Sequence, residues 1–225
     1  MPSIKIDGDP VPVADLPAEC PRCHKSIQVL NRNCGIDLET RPVERCQAVF
    51  QCPACKLLFL GMYAVVGNAF KLQFIEPRNA KVQTFGPVHV LSPQFTKIYN
   101  QAAHAEALNM DEIAGLGYRE SLEFLIKDYC ISLAPDEEDA IKEEFLGQTI
   151  KGRLSDKKIQ LAAERATWLG NDESHYVRKW VNHDIEDLKN LIRITVSGIS
   201  EALEYEAYMK TFDEKAKGDN SNSKA

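Results

Sequence analysis

The residues of this sequence best equipped for chemistry are its cysteines and a polar stretch around its two tryptophans. Cys20-Pro21-Arg22-Cys23 and Cys52-Pro53-Ala54-Cys55 are two C-x2-C pairs with 28 residues between them and a proline inside each turn. A two-residue spacing lets backbone amides turn toward the sulfurs and offset their negative charge. The pairs thus supply the four thiolates that a tetrahedral zinc takes, with buried free thiols as the alternative. Four protein sulfurs leave no open coordination position, so the role expected of the zinc is structural rather than catalytic. Cys34 and Cys46 sit in no such pattern. They read as single thiols, with a second metal shared with His24 as the alternative, and Cys130, at the end of an apolar helix face, reads as core.

The second candidate is the stretch 164–183, which holds Trp168, Trp180, His175 and His183. Gly170-Asn171 predicts a helix end within it. In a helix beginning after Gly170, Asn171 and His175 would share a face at i,i+4, with Arg178 joining three residues on. An imidazole beside an amide and a guanidinium is equipped to carry a proton next to a stabilised phosphate. The competing reading has Asn171 capping a helix and His175 hydrogen-bonding a facing helix. Arg119 and Glu123, four residues apart, are candidates for the same cavity from another helix, or form a solvated ion pair. Arg165 is a further cation on the same stretch, and the two tryptophans read as core or groove lining.

These groups must be positioned by two kinds of element. Arg45–Gln51 alternates, with Cys46, Ala48 and Phe50 on one face, and residues 57–66 and 69–75 are β-rich runs separated by the hairpin signal Gly67-Asn68. Three strands on a metal staple make a zinc ribbon, a domain too small to fold on its core alone. A connector over 77–93 ends in Ser92-Pro93, an N-cap followed by a first helical position. Helical periodicity then runs through 95–105, ends at Asn109-Met110-Asp111, and resumes with Tyr118, Leu122, Leu125, Ile126 and Tyr129 on one stripe. Further helices are expected over 137–146, 155–169 and 184–212, with His183-Asp184 as the cap of the last. The fold class is α+β: a small β zinc ribbon and connector (1–92), an all-α up-and-down helical bundle (93–212) and a disordered tail (213–225).

Composition narrows the partners. The net charge is −6, and residues 131–225 carry 14 basic against 19 acidic side chains. No segment forms a basic stripe, so nucleic-acid binding would have to rest on local geometry. The longest apolar-rich run, 57–67, is too short to span a bilayer. The first nineteen residues lack a basic start followed by an apolar stretch, so a cytoplasmic location is expected. In that compartment seven cysteines point to metal or free thiols rather than disulfides.

Three segments carry a resemblance: Ile98-Tyr99-Asn100-Gln101-Ala102, Glu112-Ile113-Ala114-Gly115-Leu116-Gly117-Tyr118-Arg119-Glu120-Ser121-Leu122-Glu123-Phe124-Leu125, and Trp168-Leu169-Gly170-Asn171-Asp172-Glu173-Ser174-His175-Tyr176. Over residues 95–210 the chain resembles the bacterial domain-of-unknown-function family four-one-four-five and, more distantly, the HEPN helical domains. The Gly-Asn-x-x-x-His core is the most specific part. The resemblance implies a helical domain that pairs as a homodimer, with the helix over 184–212 offering the pairing face. It also implies a role in bacterial defence or stress. Many HEPN domains are metal-independent ribonucleases with an arginine four to six residues before a histidine. Here Thr167 stands where related sequences often place an arginine, and Arg178 and His183 match the count. Two functions follow. One is a binding or adaptor protein contacting a protein or a nucleic acid, RNA rather than DNA. The other is a HEPN-type ribonuclease in which His175 takes the ribose 2′-hydroxyl proton and Arg178 or Arg165 stabilises the phosphate.

Overall fold

The computed structural model describes residues 2–6, 9–36, 45–172, 179–180 and 182–222, with the backbone alone at 6, 9, 30–36 and 216–222. The chain is α+β, and it divides into two compact units, Met1–Lys81 and Val82–Ala225. That division lies upstream of residue 92 because the last portion of the connector packs with the helices. Val88 is fully buried there, and the Phe85 ring lies 4.8 Å from that of Phe95 and 5.0 Å from that of Tyr99.

In the first unit, β1 (Ser3–Ile6) and β2 (Asp9–Pro12) form an antiparallel pair. β3 (Leu30–Ile36), β4 (Arg45–Gln51), β5 (Leu58–Val66) and β6 (Ala69–Glu76) form a four-stranded antiparallel sheet in sequence order. The three expected strands are β4, β5 and β6. Val66 pairs with Ala69 across Gly67-Asn68, a two-residue loop whose first residue has φ 64°, a backbone that glycine adopts at no steric cost. β4 buries Cys46, Ala48 and Phe50 on one face as its alternation requires. With Ile4, Val13, Phe59 and Tyr63 these residues make the core of the unit. β1, β2 and β3 escape the periodicity argument. β2 contains two prolines, tolerated in a two-stranded edge pair, and β3 places Asn31, Arg32 and Asn33 in succession, which breaks any alternation. Residues 13–15 strap β6: the Ala14 N–H donates to the Phe70 carbonyl at 2.8 Å and the Leu72 N–H to Asp15 Oδ1 at 2.9 Å.

The second unit comprises α1 (Pro87–Leu91), α2 (Pro93–Ala107), α3 (Asp111–Leu133), a 3-10 turn (Pro135–Glu137), α4 (Glu138–Glu143), α5 (Leu146–Arg153), α6 (Lys157–Asp172) and α7 (Ile185–Asn222). Ser92 caps α2 by accepting from the Phe95 N–H at 3.4 Å, and its hydroxyl donates to the Asp128 carboxylate on α3. α2 ends at Asn109, which has φ 60°. The Met110 N–H reaches the Ala105 carbonyl at 3.0 Å and the Asn109 N–H that of Glu106 at 2.8 Å, the paired bonds of a Schellman ending. The Asp184 carboxylate caps α7 through the N–H groups of Glu186 and Asp187, at 3.0 and 3.1 Å. Among the described residues no helix is long and apolar enough to cross a membrane.

Several boundaries differ from those expected. The helix over 137–146 is instead a 3-10 turn, α4 and a separate α5, because Glu144 and Phe145 adopt extended backbone between them. That kink lets Ile141 on one side and Leu146 and Ile150 on the other all reach the core. Arg153 fixes it, donating to Glu144 at 3.0 and 2.9 Å and to Glu137 at 2.8 Å. α6 does not end at Gly170-Asn171 but continues to Asp172, and α7 runs past Phe212 to Asn222, into the segment read as tail.

Tyr118 ties three helices together. It is fully buried in α3, and its hydroxyl donates to the Glu106 carboxylate of α2 at 2.6 Å. Lys189 of α7 holds the other oxygen at 2.8 Å and Glu186 at 2.7 Å. Burial pushes the Tyr118 phenol well above its ordinary range, with the Glu106 carboxylate adding to it. Burial alone would lower the Lys189 ammonium, but its hydrogen bonds to Glu106 and Glu186 outweigh that and hold it raised. Tyr118→Phe keeps the ring packing and removes one hydrogen bond to a charged acceptor. It is expected to cost roughly 1.5–3 kcal/mol of unfolding free energy in urea titration, with no change in helical content before the transition.

Candidate functional site

The four paired cysteines come together. Their sulfur atoms all lie within 4.8 Å of one another, with Cys20 and Cys55 Sγ 3.9 Å apart and Cys23 and Cys52 Sγ 3.8 Å apart. Each C-x2-C turn is built the same way. The Arg22 N–H points at Cys20 Sγ at 3.4 Å, and the Ala54 and Cys55 N–H groups at Cys52 Sγ at 3.3 and 3.4 Å. The N–H of the first cysteine in each pair bonds five residues on, Cys20 to the Lys25 carbonyl at 3.1 Å and Cys52 to that of Leu57 at 3.0 Å. Closing the turns puts His24 at φ 52° and Lys56 at φ 63°, a left-handed backbone with no glycine to relieve it.

Cys20 and Cys52 are fully buried, and Cys23 and Cys55 are partly so. Burial pushes the Cys20 thiol up to about 11. At Cys52 burial pushes the same way but is outweighed by the Cys55 and Ala54 N–H groups, which bring the thiol down to about 6. Four such sulfurs at van der Waals distance ionise together only around a cation. The cluster could hold a metal ion. His24 is not one of its members; its Nδ1 lies 3.2 Å from Glu19 Oε1. Cys46 is buried in the core of the sheet outside the cluster. Cys34 lies in β3 opposite Ala48, where only the backbone is described. Cys130 is buried in the helical core, its thiol pushed up to about 11 by that burial.

The helical unit carries an open cleft of about 690 Å³ between α3, α5 and α6, lined among others by Arg119, Phe145, Lys151, Trp168 and Asn171. Two of the sequence candidates meet there: Arg119 Nε donates to Asn171 Oδ1 at 2.7 Å. Arg119 also pairs with Glu123 at 3.2 Å, and Glu123 with Lys127 at 2.9 Å, so the expected i,i+4 pair belongs to a longer chain of charge. The contact depends on Gly170, where a Cβ would stand 2.6 Å from Arg119 Cβ and 2.8 Å from its Cγ. Gly170 therefore lets α6 close on α3 rather than ending α6.

The other candidates are not gathered with these two. Arg165 is exposed and lines a separate cavity of about 410 Å³ with Trp180, His183, Asp187 and Leu191, on which Trp168 also borders. His175 and Arg178 lie outside the described residues. Thr167 is buried, its hydroxyl donating to the Ala163 carbonyl at 2.8 Å.

Sequence reasoning missed Asp172. This carboxylate, only 7% exposed, sits at the C-terminal end of α6, where the helix dipole disfavours negative charge. It accepts from the Lys179 N–H at 2.8 and 2.9 Å and from the Trp180 N–H at 2.9 Å, and so holds the returning chain. That return brings the Trp180 ring parallel to Trp168, centroids 5.9 Å apart and planes within 4°. An aspartate two residues past a glycine gives no signal of such a role. A comparison with protein-family models finds no match, and comparisons with curated proteins and with solved structures find none either.

Gly170→Ala should separate the cleft from the metal cluster. The added methyl must displace the Arg119 stem or push α6 away from α3, and overpacking of this kind costs about 1–3 kcal/mol. Urea unfolding of the helical unit should show that loss while the metal content per chain is unchanged.

Proposed function

We propose that this chain is a binding or adaptor protein in which a zinc ribbon and a helical unit each present a surface to a macromolecular partner, a protein or a nucleic acid. The observation that carries the reading is the closed set of four cysteine sulfurs. A tetrahedral zinc with Zn–S distances of about 2.3 Å requires sulfurs about 3.8 Å apart; two of the pairs lie at 3.9 and 3.8 Å, and all four sulfurs fall within 4.8 Å of one another. A sulfur-only tetrahedral site suits zinc, and N–H groups aimed at Cys20 and Cys52 fit thiolates rather than thiols. Cys20, Cys23, Cys52 and Cys55 would hold the ion, which supplies cross-linking of two turns and neutralises their charge. With every position taken by the protein, the site has a structural role. The helical cleft supports binding in the same sense, since Arg119 is already engaged by Asn171 and Glu123.

Elemental analysis is expected to find one zinc per chain. Cys20→Ser and Cys55→Ser should each lose it and unfold the sheet unit, because the metal contributes folding free energy directly. Full zinc content and stability in either variant would sink the reading.

A second reading, favoured by the meeting of Arg119 and Asn171 on one cleft, is a metal-independent ribonuclease of HEPN type. In it His175 takes the proton of a ribose 2′-hydroxyl and Arg178 or Arg165 stabilises the phosphate. It predicts cleavage of single-stranded RNA in chelator, with a cyclic phosphate product and a loss of roughly 100-fold or more on His175→Ala. Well-folded, zinc-loaded protein that cuts no RNA rejects this reading and leaves the adaptor.

A further inference from the structure

Both exposed indoles border the cavity of about 410 Å³ between α6 and the start of α7, a volume typical of small-molecule sites. Trp168 and Trp180 are 43% and 40% exposed, an open position for side chains with so much apolar surface to bury. The chain holds them there. The buried Asp172 carboxylate accepts from the Lys179 and Trp180 N–H groups, which sets the Trp180 ring parallel to Trp168. The His183 ring stands edge-on to Trp180, centroids 5.9 Å apart. An aromatic wall fixed by backbone hydrogen bonds loses little freedom when a flat ring packs on it.

The remaining walls are two helix faces. Arg165, Trp168 and Leu169 follow one face of α6, and Asp187, Asn190 and Leu191 one face of α7, each set at i, i+3, i+4. The helices run antiparallel. Trp180 stacks on Trp168 just ahead of α7, and further along Gly198 meets Ile159, where an added Cβ would stand 2.7 Å from Cγ1. Arg165 is therefore on the Asn190 side of the cavity and the indoles on the Asp187 side.

The polar groups of this cavity are open to a ligand. Among the described residues the Arg165 and Asn190 side chains make no ion pair or hydrogen bond. Asp187 meets His183 Nδ1 through Oδ2 at 2.9 Å, which leaves Oδ1. In the larger cleft, by contrast, Arg119 is taken by Asn171 and Glu123.

We infer that the cavity binds a free aromatic α-amino acid, its ring on the indoles, its carboxylate on Arg165 and Asn190, and its ammonium on Asp187. A single guanidinium matches one carboxylate through two parallel hydrogen bonds. A phosphate dianion would bring more charge than one cation offsets and would face Asp187 across the cavity. Asp187 disfavours an aromatic acid without an ammonium, and Arg165 an aromatic amine without a carboxylate. A cation and an anion kept apart on facing helices, beside aromatic faces, call for a small ligand that carries both charges and a ring. The inference rests on this cavity alone and stands whichever function the rest of the chain has.

Calorimetric titration of the full-length, zinc-loaded protein with L-phenylalanine and L-tryptophan tests it. At least one is expected to bind with a Kd on the order of 100 µM or tighter. Its deaminated acid, its decarboxylated amine and its N-acetyl amide should each bind on the order of tenfold more weakly, and L-leucine, with the same charges and no ring, should also lose affinity. Arg165→Met should remove the preference over the amine and Asp187→Asn the preference over the acid, because each takes away the partner of the charge that distinguishes the two ligands. Helicity and zinc content should be unchanged in both variants. No binding of either amino acid at millimolar concentration, an N-acetyl amide as tight as the free amino acid, or preferences unmoved by both substitutions would overturn the inference. The second of these results would point to an aromatic side chain within a polypeptide as the occupant.

Discussion

α3 is touched by every other helix of its unit, α1, α2, α4, α5, α6 and α7, and this crowding sets what its sequence must be. Ala114, Tyr118, Leu122, Leu125, Ile126, Tyr129 and Cys130 are all buried along it. Along one flank of this helix Arg119, Glu123 and Lys127 follow one another at i,i+4, linked side by side. Where α6 crosses that flank the charge cannot be covered by an apolar side chain without losing its partners. The crossing is solved with a glycine under the arginine stem and an asparagine at its head. The cleft beside it therefore reflects the packing of the central helix as well as any ligand.

The two units meet the cost of ordering a chain in different ways. The helical unit buries a continuous core to which each of its helices from α1 to α7 contributes, and burial of apolar surface is what offsets the entropy of ordering its chain. The sheet unit buries far less, and some of its interior is Cys20 and Cys52 themselves. Its twin turns hold His24 and Lys56 in left-handed backbone, a conformation that costs about 1 kcal/mol or more per residue without glycine. An ion bound by four sulfurs would offset such strain by an order of magnitude. The local geometry of the turns and the chemistry of their cysteines thus support each other.

Elements with strong periodicity could be read from the residues alone. The alternation of Arg45–Gln51, the Gly67-Asn68 turn, the Ser92-Pro93 cap and the stripe of α3 all appear where their patterns place them. The paired cysteines converge as their spacing requires. What escaped was decided by tertiary contact. Glu144 and Phe145 kink the chain where Arg153, at the far end of α5, clamps Glu144. Gly170 looks like a terminator, and only the proximity of Arg119 shows it to be a point of close approach. Asp172 binds backbone seven and eight residues ahead, a pairing with no fixed offset to recognise. Of the cleft candidates, Arg119 and Asn171 were named from sequence, but their direct bond was not foreseen.

The stacked indoles have an optical consequence. The chain contains two tryptophans, and they lie parallel and exposed, Trp168 on α6 and Trp180 where its N–H meets the Asp172 carboxylate. Every photon of indole emission from this protein therefore originates at one place in the helical unit. The sheet unit has no chromophore of that kind. Loss of its metal would be dark to tryptophan emission, whereas parting of Trp180 from Trp168 would alter that emission. The protein carries its own reporter for one unit and is silent about the other.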